Sequence, residues 1–176
     1  LVSAGISANT GWSFVVENRP SALIAPEIVS KAPPDGYSLL VSTDNLWIGP
    51  FLQKVPYDPV RDFIPISTTH KSPNVLVVHP SLPVKNVKEL IALAKARPGQ
   101  LNYGAGALGS STHLASELFK HMADVDITFI PYKSSGTAMI SLVGGQIQLM
   151  FGSAGTSAPY IKAGRLRVLA VTSAEP

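Results

Sequence analysis

The chain contains no cysteine, few charged residues and no long apolar run. Without cysteine it can form no disulfide, no thiolate metal site and no cysteine nucleophile. No apolar stretch reaches the roughly 20 residues that a membrane-spanning helix needs. Lysine and arginine are scattered singly, so the net charge of +3 is not gathered into the basic face that nucleic acids require. We therefore expect no nucleic-acid partner.

Metal-ligand spacing is also missing, because His70, His79 and His121 share no ligand pattern with one another. We predict no metal site, no cofactor and no catalytic residue. What the chain does have is 176 residues that are 45% hydrophobic and 14% charged. That length and composition suit one ordinary α/β domain or two small lobes with a sizeable core.

The most informative stretch is the loop from Tyr103 to His113, which reads YGAGALGSSTH. It lies between a predicted strand and a predicted helix. Glycines let a backbone approach a ligand closely, and hydroxyl side chains cap the helix that follows. The first turn of that helix offers free N–H groups and a partial positive charge to an anion. The candidate ligand-binding residues of this loop are Gly104, Ala105, Gly106, Ala107, Gly109, Ser110, Ser111 and Thr112.

Other interpretations of the same loop remain open. The spacing Gly104-x-Gly106-x-x-Gly109 matches a dinucleotide-binding loop, which would make the protein an oxidoreductase. The acidic residue that should bond the ribose is absent, since the second strand ends in Pro131-Tyr132-Lys133. A P-loop would need a lysine that is missing, and a hydrolase would need an acidic partner for His113. A capped, tight turn without any ligand is the remaining alternative.

Hydrophobic periodicity predicts an α/β fold made of two lobes. The predicted helices are 22–31, 86–97, 112–122, 136–143 and 159–163, with Ser157 as a cap of the last. The predicted strands are 12–17, 37–43, 64–69, 75–78, 101–103, 127–132, 146–151 and 166–172. The first two strands and the helix between them predict a parallel βαβ unit. The order after Val78 predicts a parallel α/β lobe, so we expect a partial first lobe at 1–78 and a second lobe at 79–176.

Two further sets of candidate ligand residues follow predicted strands. Thr43, Asp44 and Asn45 come after strand 37–43, and Tyr132 and Lys133 come at the end of strand 127–132. Binding sites of α/β proteins gather at the carboxyl ends of parallel strands. A local turn at 43–45 and a surface position for Lys133 are equally compatible with the sequence.

In many short stretches the chain resembles the Bug-type receptors of tripartite tricarboxylate transporters. These stretches are VVENRP (15–20), PDGYSLL (34–40), PYDPVRDF (56–63), PNVLVVHPSLPVKNVKELIALAKARPGQLNYG (73–104), GSSTHLASELFK (109–120), IPYKSSGTA (130–138), LVGGQIQLMF (142–151) and IKAGRLRVLAVTSA (161–174). Together they cover nearly the whole chain in order.

The resemblance implies a two-lobed, type II periplasmic-binding-protein fold, incomplete at both ends. It implies a periplasmic receptor that closes on one small mono- or dicarboxylate and passes it to a membrane permease, without enzymatic activity. Self-association through exposed sheet edges is a further expectation.

The sequence departs from the family pattern at three places. Nothing before Trp12 matches the family's first strand and ligand loop, and the family continues beyond Pro176. The ENRP motif is followed by Ser21-Ala22-Leu23-Ile24 instead of a glycine-rich loop, and Gly152 stands where an aspartate is common. A remnant that no longer binds a ligand is therefore an alternative to a working receptor.

Overall fold

The computed structural model describes residues 2–19, 23–69 and 71–173. Its helices are α1 (Val2–Thr10), α2 (Ile24–Ser30), α3 (Asn45–Leu52), α4 (Val87–Ala96), α5 (Ser111–Ala123), α6 (Ser135–Val143) and α7 (Ala154–Lys162). Its strands are β1 (Asn74–Val78), β2 (Asn102–Ala105), β3 (Thr128–Pro131), β4 (Leu149–Ser153) and β5 (Arg167–Val171). Among these described residues no helix is long and apolar enough to cross a membrane.

The five strands form one mixed sheet in the order β3-β2-β4-β1-β5. β2 runs parallel to both β3 and β4. β1 lies antiparallel between β4 and β5, so β5 points the same way as β4. The four strands after β1 therefore share one direction, as the sequence predicted, and β1 alone opposes them.

Helices cover both faces of the sheet because its strands alternate their apolar side chains. On β1, Leu76 and Val78 join a core that includes residues of α4 and α5. Val75 and Val77 point the other way, into a core with residues of α6 and α7. A sheet buried on both faces explains the nearly continuous apolar sequence of β1.

The prediction of three strands in the first 69 residues is wrong for the described residues. Segments 12–17, 37–43 and 64–69 form no helix or strand and join no ladder, so the predicted βαβ unit is not formed. A strand exists only as part of a ladder, and the sheet of the described residues does not include these segments. Their apolar side chains face solvent, with Val15 89%, Tyr37 93% and Ile64 88% exposed.

The division into lobes at residue 78 stays a prediction. The structure places β1, which the sequence assigned to the first lobe, in the middle of the sheet built from the rest of the chain. The strand at the boundary, residues 74–78, therefore pairs through hydrogen bonds with residues 149–153 and 167–171.

Three helices differ from the sequence prediction. α1 and α3 were not predicted, and α7 begins five residues before the predicted start at Pro159. Ser153 caps α7 by accepting a hydrogen bond from the Thr156 N–H, so the prediction that Ser157 is the cap is wrong. Ser157 instead lies buried within the helix. Ala22 and His70 lie outside the described residues. Ala22 is the predicted first residue of α2, which begins at Ile24 in the structure.

Candidate functional site

The candidate site lies at the edge of the sheet where β2, β3 and β4 end and helices α5, α6 and α7 begin. Each of these helices starts with a serine cap. The hydroxyls of Ser110, Ser134 and Ser153 accept hydrogen bonds from the backbone N–H three residues on. Parallel strands bring three helix N-termini, with their partial positive charges, to one edge.

The loop after β2 packs tightly against the start of α6. A Cβ added at Gly106 would lie 2.8 Å from the Ser135 Oγ and 2.9 Å from the Ser135 backbone nitrogen. Because real Cβ atoms do not approach other atoms so closely, only glycine fits here without moving α6. Gly106 therefore fixes the distance between the loop and the α6 N-terminus.

The same loop packs on its other side against α3. Gly109 has a φ of +79°, and a Cβ there would lie 2.7 Å from the Leu52 Cδ1. The Asn45 side-chain amide donates a hydrogen bond of 3.0 Å to the Leu108 carbonyl, and the Thr43 hydroxyl bonds to the Asn45 side chain at 3.2 Å. Two of the three predicted residues at 43–45 thus contact the loop or each other.

Asp44 occupies the cap position of α3 without using its side chain. The α3 N-cap makes no side-chain hydrogen bond, and its backbone is helical rather than extended. Asp44 is half-buried. Because its carboxylate is itself an anion, it suits a hydroxyl or an amine of a ligand rather than a second anion.

The thirteen predicted ligand residues divide by exposure. Gly104, Ala105, Gly106, Gly109 and Thr112 are buried. The half-buried or exposed ones are Thr43, Asp44, Asn45, Ala107, Ser110, Ser111, Tyr132 and Lys133. A ligand arriving from solvent can reach the second group directly, whereas the first group shapes the loop beneath it.

Gly104 and Tyr132 belong to the packing under the loop. Gly104 lies inside β2, and a Cβ there would be 2.4 Å from the Ile147 Cδ1 and 3.1 Å from the Tyr132 ring. The Tyr132 backbone N–H donates to the Ala105 carbonyl at 3.2 Å. Lys133, the next residue, is exposed immediately before the Ser134 cap, where its cation can attract an anion.

Several hydrogen-bond donors of the loop have no acceptor in the part of the chain that the structure describes. Among the described residues, the backbone N–H groups of Ala107, Leu108, Ser111 and Thr112 have no hydrogen-bond acceptor, nor has the exposed Ser111 hydroxyl. The first N–H groups of a helix lack internal acceptors and are usual contacts for anions. This arrangement can bind an anion with neutral donors and requires no titrating group.

His113 ties the loop to helix α5. The Gly109 N–H donates to its Nδ1 at 3.4 Å, and its ring lies 4.7 Å from that of Phe129. His113 is only 8% exposed. Burial lowers the pKa of the imidazole, with Glu117 acting against this and Lys120 adding to it.

Sequence reasoning missed several residues of this edge. Ser134, which caps α6, and Ser135, which lies against Gly106, were not proposed as site residues. The Leu108 carbonyl, which accepts from Asn45, was not proposed either. The spacing Ser134-x-x-Thr137 forms a capping box in the structure. A serine three residues before a threonine, shortly after a strand, is a signal that the sequence did contain.

Gly152, one of the departures expected from the sequence, is also closely packed. A Cβ at this position would lie 2.7 Å from the Ser157 Oγ and 2.9 Å from the Met139 Cε. The Ser157 hydroxyl is fully buried and has no hydrogen-bond partner among the described residues. An aspartate at position 152 would require both neighbours to move. The packing around this position therefore suits a glycine.

Clusters of ionisable ligands for a metal are not found in the described chain, where no three histidine, aspartate or glutamate side chains come together suitably. The side of Gly104 that lacks a Cβ faces the Ile147, Tyr132 and Ala138 side chains. The exact dinucleotide spacing therefore includes a glycine that serves strand packing.

Comparison with known proteins identifies relatives along almost the whole chain. The profile of the tripartite tricarboxylate transporter family receptor matches residues 1–175. Protein BugT of Bordetella pertussis (strain Tohama I) is 36% identical over 180 residues, covering 99% of this chain and 55% of BugT.

Solved structures give the same picture. The R. palustris protein Rpa4515, solved with adipate, is 41% identical with a TM-score of 0.92, covering 98% of this chain and 59% of that one. The periplasmic binding protein BugD is 29% identical with a TM-score of 0.89, covering 99% of this chain and 60% of that one. The predicted periplasmic-binding-protein fold class is confirmed, and the chain spans about half to three fifths of the length of these relatives.

Proposed function

We propose a solute-receptor function for this chain, which belongs to the tripartite tricarboxylate transporter receptor family. In this proposal a small carboxylate binds at the sheet edge formed by the loop 106–110 and the N-termini of α5 and α6. The observation that carries the proposal is the set of N–H donors at 107, 108, 111 and 112, which have no acceptor among residues 2–19, 23–69 and 71–173, beside the exposed Ser111 hydroxyl. Such donors complement a carboxylate.

Membership of a receptor family confirms the prediction that the chain is not an enzyme. The alternative of a dinucleotide-binding oxidoreductase is accordingly wrong. Its one supporting feature, the glycine spacing at 104–109, is accounted for by close packing at Gly104 and Gly106.

A dicarboxylate is the ligand class that we favour. The R. palustris relative, which is 41% identical, was solved with adipate. In our proposal one carboxylate meets the loop donors, and Lys133, exposed at the end of β3, attracts the anion. Thr43, Asp44 and Asn45 lie across the loop, where they can contact the rest of the ligand.

We also propose a periplasmic location and delivery of the ligand to a membrane permease. Two related structures are described as a periplasmic transporter and a periplasmic binding protein. The family description itself supports a tripartite transporter as the partner. Self-association of this chain is a separate proposal, based on the exposed apolar segments of its first 69 residues.

Calorimetric titration with adipate tests the binding proposal directly. We expect Ser111→Ala to weaken adipate binding about tenfold, because a hydrogen bond to a charged group is lost. Gly106→Val should abolish binding, because its side chain would displace the start of α6. Ser141→Ala, a helix serine away from the loop, is the matched control and should leave affinity unchanged.

The R. palustris relative serves as the positive reference in the same titration. If that protein takes up adipate and the present chain does not bind it, the chain is a non-binding remnant and the proposal fails. Equal affinity of the wild type and Ser111→Ala would exclude the loop as the binding site even if the chain binds.

A further inference from the structure

We propose that His113 is a positioning residue whose neutral imidazole holds the ligand loop at Gly109 and whose protonation releases it. His113 itself is not placed in contact with the ligand. The effect on ligand affinity rests on the function proposed above, whereas the effect on the loop does not. The proposal therefore predicts a loosening of the loop in the ligand-free protein and a weaker affinity for the ligand.

The geometry defines which form of the imidazole can do this. The Gly109 N–H points at the His113 Nδ1 at 3.4 Å, so Nδ1 must carry a lone pair and the proton must sit on Nε2. The ring stays in place because it packs against Phe129 at 4.7 Å and is only 8% exposed. Phe129 of β3 thus supports the imidazole ring whose Nδ1 accepts the hydrogen bond from the loop.

The loop depends on this acceptor because Gly109 has little alternative. Its backbone is in the left-handed region at φ +79°, and α3 residues Ile48 and Leu52 close the space on the side of its missing Cβ. The Gly109 N–H is buried, and a buried donor without an acceptor costs about 1–3 kcal/mol. The His113 backbone N–H in turn donates to the Ser110 Oγ. The side chain and the backbone of His113 therefore both hold the loop segment that carries the N–H donors at 107, 108, 111 and 112.

Protonation reverses the contact. A proton on Nδ1 turns the acceptor into a donor that faces the Gly109 N–H, and the two repel each other. The ionisable groups around the ring are Glu117 and Lys120 on α5 and Tyr103 on β2, whose hydroxyl is bonded to Glu117. The side chain from β3 is Phe129, which carries no charge, and the loop contributes only backbone. Glu117 favours the imidazolium, while burial and Lys120 oppose it.

The direction of the pH dependence follows from the lowered pKa. Because the folded state disfavours the imidazolium, His113 stabilises the fold fully above its unfolded pKa of about 6.5. This contribution is lost progressively as the pH falls below that value. We expect the loop to loosen over the same range, since its acceptor is being protonated.

Nuclear magnetic resonance of the ligand-free chain tests the clamp. Between about pH 8 and about pH 5, the Gly109 amide proton and the His113 ring nitrogens should titrate with one common midpoint. The nitrogen shifts at high pH should identify Nε2 as the protonated nitrogen. Independent midpoints, or the opposite tautomer, would overturn the proposal without any variant being made.

Two variants separate the acceptor from the shape of the ring. His113→Asn keeps an oxygen acceptor near the Nδ1 position but cannot titrate, so the Gly109 amide shift should stay at its high-pH value throughout. His113→Phe keeps the packing on Phe129 and removes the acceptor, so amide exchange at 107–110 should be faster at every pH. Slow exchange in His113→Phe would show that packing alone holds the loop.

Calorimetry with adipate then measures the functional consequence. We expect His113→Phe to bind about fivefold more weakly at neutral pH, and His113→Asn to bind within about twofold of the wild type. The wild type should lose affinity as the pH falls, whereas His113→Asn should not. If the wild type binds no adipate, the proposed function fails, and the resonance measurements still decide whether His113 holds the loop.

Discussion

Tyr103 is a buried residue whose single polar atom is fully used. Its hydroxyl donates to the Glu117 Oε1 at 2.5 Å, and the same carboxylate oxygen accepts from Lys120 at 2.8 Å. Burial, and then the bond to Glu117, raise the pKa of the Tyr103 phenol. Burial raises the pKa of the Glu117 carboxyl, but the hydrogen bonds from Lys120 and Tyr103 outweigh this and the pKa lies below its ordinary value.

Removing the Tyr103 hydroxyl should therefore weaken the fold most at neutral pH. We expect Tyr103→Phe to lower the free energy of unfolding by about 1 kcal/mol, since Glu117 is partly solvated and water replaces part of the bond. The lowered pKa means that Glu117 stabilises the fold above about pH 4.5 and loses this effect as the pH falls further. Urea unfolding at neutral and acid pH should show the difference shrinking in acid.

Tyr160→Phe is the matched control for this measurement. The Tyr160 hydroxyl has no hydrogen-bond partner among the described residues, and its ring is half-buried on α7. Its removal should not change stability at either pH. An equal loss in both variants would mean that the bond between Tyr103 and Glu117 contributes nothing measurable.

At the scale of elements, Gly104 sets how closely α6 and β2 approach each other. Its Cβ position is 2.4 Å from the Ile147 Cδ1 and 3.3 Å from the Ala138 Cβ. Gly104→Ala should lower the free energy of unfolding by about 2 kcal/mol through overpacking. Gly155→Ala, at an exposed first-turn position of α7 with open space around it, should be neutral or slightly stabilising.

A second substitution identifies the clash as the cause. Ile147→Val removes the Cδ1 atom and by itself should cost about 1 kcal/mol. Combined with Gly104→Ala it should restore part of the stability, so the double variant should unfold at a higher urea concentration than the sum of the two losses predicts. Simple additivity of the two losses would show that the glycine is needed for another reason.

The sequence predicted the second half of the fold well because each of its elements carries its own signals. α4 is an example: Asn86 caps it, Glu89 completes the cap, and Leu90 and Ala94 lie on its buried face. The strands at 102–105, 128–131, 149–153 and 167–171 were each found to within a few residues. Apolar alternation, caps and glycine ends are local, so a linear pattern contains them.

The errors have a different physical origin. Segments 12–17, 37–43 and 64–69 have strand-like composition, but pairing is a property of two segments and cannot be inferred from one. The sense of β1 was missed for the same reason, since it is fixed by β4 and β5 far along the chain. The sequence correctly placed the loop between a strand and a helix and predicted that a hydroxyl caps that helix. Ligand binding by these residues stays a prediction. The sequence did not show that Gly104 faces protein or that His113 accepts from Gly109.

At the scale of the whole molecule, exposed large apolar side chains are concentrated in the first 69 residues, including the segments that join no strand of the sheet. The large apolar side chains that face solvent in segments 12–17, 37–43 and 64–69 are Trp12, Val15, Val16, Tyr37, Leu39, Val41, Ile64 and Ile66. Extended, apolar segments with free edges are templates for pairing with another chain. This supports the proposal that the 176-residue chain associates with itself.

Light scattering after size exclusion checks the association. We expect the measured mass to rise with protein concentration, because paired segments bury apolar surface. Val15→Lys, Val41→Lys and Ile64→Lys together should lower it towards the monomer. The control adds the same charge at three exposed glutamines outside these segments, Gln53, Gln100 and Gln146. A monomer at all concentrations for the unmodified chain would contradict the expectation.

The antiparallel strand β1 has a consequence for the order in which the protein folds. It pairs with residues 149–153 and 167–171, which follow it only after α4, β2, α5, β3 and α6. During synthesis β1 therefore leaves the ribosome well before the two strands with which it pairs. Contacts of such long sequence separation slow folding, because a large loop must close before they form. The ladders of β1 thus form only after β4 and β5 have been made, and until then this apolar strand is exposed to chaperones and to other unfolded chains.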